Sequence, residues 1–450
     1  MTPDKSPEPL VISRCDHSIS RKNIDREALK VMHRLRDAGF SAYLVGGGVR
    51  DLYLGKTPKD FDISTNARPG QIRKIFRNSR VIGRRFRLVQ VFFKGEKIVE
   101  VSTLRRSSEH DIQNNEQVLP ANNTYGTLVE DAFRRDLTIN ALFYEIENFT
   151  VIDYTGGVAD LNHGIVRIVG EPQRRITRDP VRMLRAIRHA ARTGFSIEEK
   201  SWQAICENRA MLTLCPESRI RDEIFKDLRG GASHAWAQLA IASGIFFVVF
   251  PFYKKILSNN SGQSDDFEQK EFRQSKGGLG QLLNVLAVID RLRAEEVELP
   301  EHIVVALLLV PWALVEMDLL AAPTIGKELF AFSRKVRSRL AEMLAHLNIK
   351  RVLQEEITGL LVNLPIFIQH DKGGAWPKGL TRKSYFNDGL QFYQIYKEVC
   401  GGKKVASVSF AAVVKEPKLE NKKRPPHRGD RLPAFAHNTG GGIFGFKKRR

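Results

Sequence analysis

The apolar positions of this chain repeat with two periods, one suited to helices and one to strands. In REALKVMHRLRDAGF, Leu29, Met32 and Leu35 recur at helical spacing, which predicts an amphipathic helix. SAYLVGGGVRDLYLG reads as a short strand, a glycine turn, the start of a helix and a stop at Gly55. KDFDIST is strand-like and RPGQIRKIF is helical. RLVQVFFKGEKIVEVSTL alternates as a hairpin that turns at Lys94-Gly95-Glu96. Helix and strand patterns continue through DAFRRDLTINALFYEI and FTVIDYTGG, so residues 24–160 read as a mixed α/β unit.

From Asp179 onward the strand signals fade and helical patterns take over. Residues 161–230 are expected to form a helical neck and 231–400 a helical body, with 1–23 as a polar, flexible lead. A polar low-complexity stretch, SNNSGQSDDFEQKEFRQSKGG, interrupts the body as a loop or linker. Residues 401–450 read as a basic tail, which from Lys415 holds eleven basic and three acidic residues among prolines and glycines. Such a segment cannot bury a core and is expected to be disordered. The fold class is therefore α+β: a mixed sheet with helices, then an all-helical C-terminal region, then the tail.

Two apolar stretches, LAIASGIFFVVFPF and IVVALLLVPWALVEMDLL, invite a membrane reading. The first is too short, and the second is interrupted by Pro311, Glu316 and Asp318. A spanning helix needs about 20 apolar residues, so both are expected to be buried helices.

Charge changes the picture. Lysine and arginine number 71 against 51 acids, a net charge of +20, which favours polyanionic partners such as nucleic acid. Cys15, Cys206, Cys215 and Cys400 are scattered without a CxxC pair, so neither a disulfide framework nor a zinc site is expected. The N-terminus MTPDKSPEPLVISRCDHS has no apolar core of a secretory signal. The chain is read as a cytoplasmic monomer without membrane contact.

Candidate chemistry centres on KDFDIST. Side chains alternate along a strand, so Asp60 and Asp62 would point the same way. In KIVEVSTL, alternation sets Val99 and Val101 on one face and Glu100 with Ser102 on the other. If the two strands are neighbours with the same face up, Asp60, Asp62 and Glu100 converge. Clustered carboxylates repel and push their pKa values apart unless a divalent cation lies among them. Oxygen ligands suit magnesium, and such a site supports phosphoryl or nucleotidyl transfer. Taken alone, an Asp-x-Asp pair more often caps or decorates a strand edge. Just upstream, VGGGVRD places glycines between strand and helix, where backbone can approach an anion. Arg50 in the first helical turn makes sense if a triphosphate lies there.

These residues, in LVGGGVRDLYLGKTPKDFDIST, together with EDAFRRDLTINALFY, DYTGGVADL and RDPVRMLRAIRHAARTGF, resemble the nucleotidyltransferase family built on a polymerase-β-like head. The similarity is to the branch containing tRNA CCA-adding enzymes and bacterial poly(A) polymerases. The resemblance implies that Asp60, Asp62 and Glu100 are the catalytic, Mg2+-binding acids. It implies that Gly46, Gly47, Arg50 and Asp51 hold the phosphates of ATP, and that Arg135, Asp136 and Asn140 handle its ribose and phosphates. Asp136 and Asn140, four apart, would share a helix face. The neck would select the base. Pro180 suits a first helical position with Asp179 as its N-cap, leaving Asp179 and Arg182 one turn apart. A carboxylate and a guanidinium so placed can read a base edge. Arg185 and Arg188 would continue that ridge toward phosphates. Where the family has Glu-Asp, this chain has Arg178-Asp179.

Within the branch, Gly83-Arg84-Arg85-Phe86-Arg87-Leu88 resembles the poly(A) polymerases, although Gln90 stands where a histidine is expected. Arg84, Arg85 and Arg87 around one aromatic suit a flexible RNA strand. The expected activity is therefore AMP addition from ATP to RNA 3′ ends, on mRNA or structured RNA. CCA addition to tRNA is the alternative, and a non-catalytic RNA-binding relative is a second. A phosphohydrolase of the His-Asp type is discounted, because His110-Asp111 and His370-Asp371 lack accompanying histidines.

Overall fold

The computed structural model describes residues 7–83, 87–106, 124–258, 278–371 and 375–405. Arg84, Arg85, Phe86, His110-Asp111, most of the low-complexity stretch and nearly all of the basic tail lie outside the described residues.

The head is built on one eight-stranded sheet. In chain order its elements are β1 (Leu10–Ile12), α1 (Arg26–Asp37), β2 (Ala42–Val45), α2 (Gly47–Tyr53), β3 (Asp62–Thr65) and α3 (Pro69–Ile75). Then come β4 (Ser79–Ile82), β5 (Leu88–Phe92), β6 (Ile98–Thr103), α4 (Leu128–Arg134), β7 (Leu142–Glu145) and β8 (Thr150–Asp153). The strand order is β1-β8-β7-β2-β3-β6-β5-β4. All neighbours are antiparallel except β3 and β6, which run parallel. Helix α1 begins where Asp25 accepts from the amides of Glu27 and Ala28 at 2.9 and 3.1 Å. It buries Ala28, Val31, Met32 and Leu35, so Met32 and Leu35 of the expected stripe are in the core while Leu29 is only partly buried.

The lead differs from expectation. Leu10–Ile12 is a short apolar run that adds β1 antiparallel to β8, and Ile19 behind it is fully buried. His17 Nε2 lies 2.8 Å from the Phe149 carbonyl. Residues 10–19 are therefore tied to the sheet rather than loose, because an edge strand offers unpaired backbone groups to a β-prone segment.

After the head, Asp153 organises the DYTGG turn. Its Oδ1 accepts from the amides of Thr155 and Gly156 at 2.9 and 3.0 Å, and its Oδ2 from Val158 at 2.9 Å. This starts α5 (Gly157–His163). Two short strands, β9 (Ile165–Val166) and β10 (Ser196–Ile197), pair in parallel. They bracket α6 (Pro172–Arg178) and α7 (Val181–Thr193), and β10 is a small exception to the strand-free reading beyond residue 179. Helices α8 (Glu199–Asn208) and α9 (Glu217–Leu228) complete the neck.

Beyond them every described element is helical. The helix Glu301–Glu316 buries every residue from Ile303 to Ala313, as an all-round apolar helix must inside a bundle. Each such fully buried aliphatic side chain contributes roughly 1.5–3 kcal/mol. Among the described residues no helix is long and apolar enough to cross a membrane.

Candidate active site

The two acid-bearing strands are direct neighbours. Ile63 pairs with Val101, Ser64 with Ser102 and Thr65 with Thr103 in parallel register. The Ser64 and Ser102 hydroxyls meet at 3.0 Å, so both point to one side of the sheet. Asp62 and Glu100, each two residues earlier, share that side. Val99, Val101 and Thr103 are buried on the other.

Strand β3 begins at Asp62, so Asp60 lies in the approach rather than within the strand. It nonetheless acts on its neighbour. Asp62 has solvent-accessible surface, yet protein crowds it on its other sides. Burial, then the charges of Glu100 and Asp60, push its carboxyl up to about 6, against a downward pull from Arg135. Glu100 Oε1 accepts from Gln90 Nε2 at 3.0 Å, which fixes the side chain from the adjacent strand. Among the described residues no group of three or more His, Cys, Asp or Glu side chains is gathered closely enough to hold a metal ion, so Asp60, Asp62 and Glu100 converge less tightly than the sequence suggests. Asp62 and Glu100 share a face, and Asp60 acts on Asp62 through its charge. Their oxygen-only chemistry and mutual repulsion fit Mg2+, which completes its shell with water and phosphate rather than with protein alone.

The glycine turn abuts these acids. Gly46 has φ +67° and ψ −133°, a conformation L side chains rarely adopt. A Cβ on Gly48 would lie 3.3 Å from the Asp60 carbonyl oxygen, so turn and acid loop are in close contact. Arg50, however, is turned inward and only 5% exposed. Its Nε and Nη2 donate to Asp51 Oδ1 at 2.9 and 2.8 Å, and Nη1 donates to Asn140 Oδ1 at 2.7 Å. The expectation that Arg50 faces a phosphate is therefore corrected: its donors are held by protein, because a buried guanidinium must be paired.

The RRD segment is not a continuous helix. Helix α4 ends at Arg134, and a short 3-10 turn follows at Thr138–Asn140. Asp136 and Asn140 consequently do not share a helix face. Each instead meets α7, Asp136 through Arg185 Nε at 3.0 Å and Asn140 through His189 Nε2 at 3.2 Å. Burial raises the Asp136 carboxyl, but Arg185, His189 and Arg182 outweigh it and hold it down at about 2. Arg135 donates to the Asn140 carbonyl at 3.2 Å and lies over the Phe143 ring, 5.0 Å from its centroid. Asp131, fully buried, accepts from Arg134 Nε at 2.8 Å and from Arg135 Nη2 at 3.0 Å.

Helix α7 carries the remaining candidates. Pro180 has helical angles, φ −60° and ψ −22°, and Asp179 before it, at φ −148° and ψ 84°, lies outside the helix. The Asp179 carboxylate does not cap the helix. It takes both terminal nitrogens of Arg219 on α9, each at 2.9 Å, while Arg182 Nε stays 3.9 Å away. Arg182 donates to the carbonyls of Arg135 and Arg134 at 3.0 and 3.3 Å. Arg188 leaves the expected ridge altogether. It is buried against α9, donating to Asp227 and pairing with Glu223 at 2.5 Å, because its position turns away from the head. Arg84 and Arg85 lie outside the described residues, and the carbonyl of Arg87 accepts from Arg105 Nη2 at 3.0 Å.

Sequence reasoning missed Asp131, His189 and Arg219. The acid behind two arginines was legible in principle, since Asp131 sits three and four residues before them at the end of α4. No local signal joins residue 179 to 219, or residue 50 to 189.

Residues 42–167 match the family described as "Poly A polymerase head domain". Residues 194–257 match the one described as "Probable RNA and SrmB- binding site of polymerase A". The chain is 45% identical over 261 residues to Poly(A) polymerase I of Escherichia coli O6:H1, covering 56% of this chain and 56% of that protein. It is 40% identical over 201 residues to the CCA-adding enzyme of Lactobacillus helveticus, covering 44% of this chain and 49% of that one. The chain thus spans about half the length of the curated relatives it matches. Among solved structures, the Bacillus stearothermophilus CCA-adding enzyme in complex with CTP is similar, with a TM-score of 0.58 and 23% identity. That similarity covers 86% of this chain and 81% of the other, and it shows the same fold.

Proposed function

We propose, from the premise that the head belongs to the poly A polymerase head-domain family, that this chain is a template-independent RNA nucleotidyltransferase. It adds AMP from ATP to RNA 3′ ends and releases pyrophosphate. The observation that carries the reading is the parallel register of β3 and β6, with Asp62 and Glu100 on one face and Asp60 beside them.

Asp60, Asp62 and Glu100 would hold Mg2+, which when bound eases loss of the 3′-hydroxyl proton and offsets phosphate charge. The RNA 3′-oxygen then forms a bond to the α-phosphorus of ATP as the bond to the β-phosphate oxygen breaks. The hydroxyl proton passes to solvent and pyrophosphate departs. The Gly46–Gly47 turn carries no side chain of its own, so phosphate oxygens can approach its backbone beside Arg135, whose Nη1 would lie 3.4 Å from a Cβ on Gly46. Asp179 and Arg182 meet the adenine edge, with Arg219 orienting the Asp179 carboxylate. Arg50 and Asp51 act as a brace behind the turn rather than as phosphate ligands.

CCA addition is the second reading, favoured by the likeness to a CCA-adding enzyme. The higher identity to a Poly(A) polymerase I and the Gly83–Leu88 segment support polyadenylation over it. Incubation of purified protein with generic RNA, or with tRNA ending before CCA, and each nucleotide separately tests the choice. A long ladder with ATP alone is expected. A stop after three nucleotides that needs CTP would overturn it, and binding without extension would favour a non-catalytic RNA-binding role.

A further inference from the structure

One face of α7 docks on the head residue by residue. Arg182 donates to the carbonyls of Arg134 and Arg135, Arg185 pairs with Asp136, and His189 meets Asn140. These positions are three and four apart and so form a single ridge. His189 is the end of that ridge. It also reaches α2, where its Nδ1 lies 3.1 Å from Arg50 Nη1.

We propose that His189 is a positioning residue for the nucleotide, holding Arg50 directly and Asn140 through a nucleotide oxygen, so that the glycine turn and the base-reading end of α7 keep one fixed separation. The inference rests on the AMP-transfer reading above.

The donor count supports it. A guanidinium only donates, so the His189 Nδ1 that faces Arg50 must be the bare nitrogen, and the proton sits on Nε2. The ring is neutral: burial, then the Arg50 charge, hold its pKa down at about 3. Arg50 Nη1 also takes the Asn140 oxygen at 2.7 Å, which turns the amide nitrogen of Asn140 toward His189 Nε2 at 3.2 Å. Two donors then meet. Reversing the amide only moves the conflict to Arg50. The junction is one acceptor short, and a ribose hydroxyl oxygen of the nucleotide would supply it. The ligand thus completes a contact that joins head to neck.

The test compares His189→Phe, which keeps a ring without nitrogen, and His189→Asn, which keeps an acceptor near the place of Nδ1. ATP affinity is measured by calorimetric titration with Mg2+ present, beside KM, kcat and the unfolding midpoint. Loss of hydrogen bonds to a charged group predicts that His189→Phe weakens ATP binding by about tenfold, with kcat changed less than about threefold. His189→Asn should recover most of the affinity. A purely structural role would instead lower Tm and kcat at unchanged ATP Kd, and that result overturns the proposal. Equal weakening by both variants would also overturn it. A wild-type chain that binds ATP but extends no RNA would refute the transfer reading, and the Kd comparison would still decide the role of His189.

Discussion

The Ser64 and Ser102 hydroxyls lie 3.0 Å apart across the parallel strands β3 and β6. That single contact fixes which way Asp62 and Glu100 face, since each acid is two residues upstream of one serine. A shift of one residue in either strand would send one acid to the buried side.

Replacing Asp62 by Asn keeps the shape and removes the charge. AMP incorporation should fall by at least about a thousandfold, since the reaction loses a charge that organises its transition state. RNA binding, followed by fluorescence anisotropy, should stay within about twofold, because the substitution removes no cationic group. Full incorporation by Asp62→Asn would remove the acids from the mechanism.

Metal affinity should depend on pH. Burial and the charges of Glu100 and Asp60 raise the Asp62 carboxyl to about 6, so below that pH a proton competes with the cation. Apparent Mg2+ affinity should fall by about tenfold per pH unit below the midpoint and level off above it. Titration at pH 5 and pH 7.5 measures this, and a pH-independent affinity would contradict it.

Asp136 should contribute to stability with the opposite sign. Its carboxyl is held at about 2, below the ordinary 3.8, so its contribution is fully present above pH 3.8 and fades as pH falls through 2. Asp136→Asn should cost roughly 2 kcal/mol at neutral pH. In urea unfolding, the gap between variant and wild type should narrow on acidification from pH 4.

Arg219 holds the Asp179 carboxylate, the group assigned to base reading in the proposed function. Arg219→Ala should let Asp179 swing, reducing the ratio of ATP to CTP incorporation by about tenfold while total incorporation falls less. Competition assays with both nucleotides report this directly. An unchanged ratio would remove Arg219 from selection.

Gly157 tests the fold independently of chemistry. A Cβ there would sit 2.2 Å from the Thr138 carbonyl oxygen, backbone against backbone. Gly157→Ala should therefore destabilise by about 3 kcal/mol or more, visible as a lower denaturant midpoint.

Much of this protein was legible from its order of residues. Alternation in KIVEVSTL put Glu100 opposite the valines, and helical spacing marked the buried stripe of α1, because each depends only on backbone periodicity. The glycine turn, the hairpin at Gly95 and the stop at Gly55 followed from local conformational preference. What tertiary structure alone decided was which groups partner each buried or half-buried charge. Arg50 belongs to Asp51, Asn140 and His189, Arg188 to Asp227, and Asp179 to Arg219, partners up to 139 residues apart. A buried charge takes the partner that folding brings within reach, and sequence spacing says nothing of that distance.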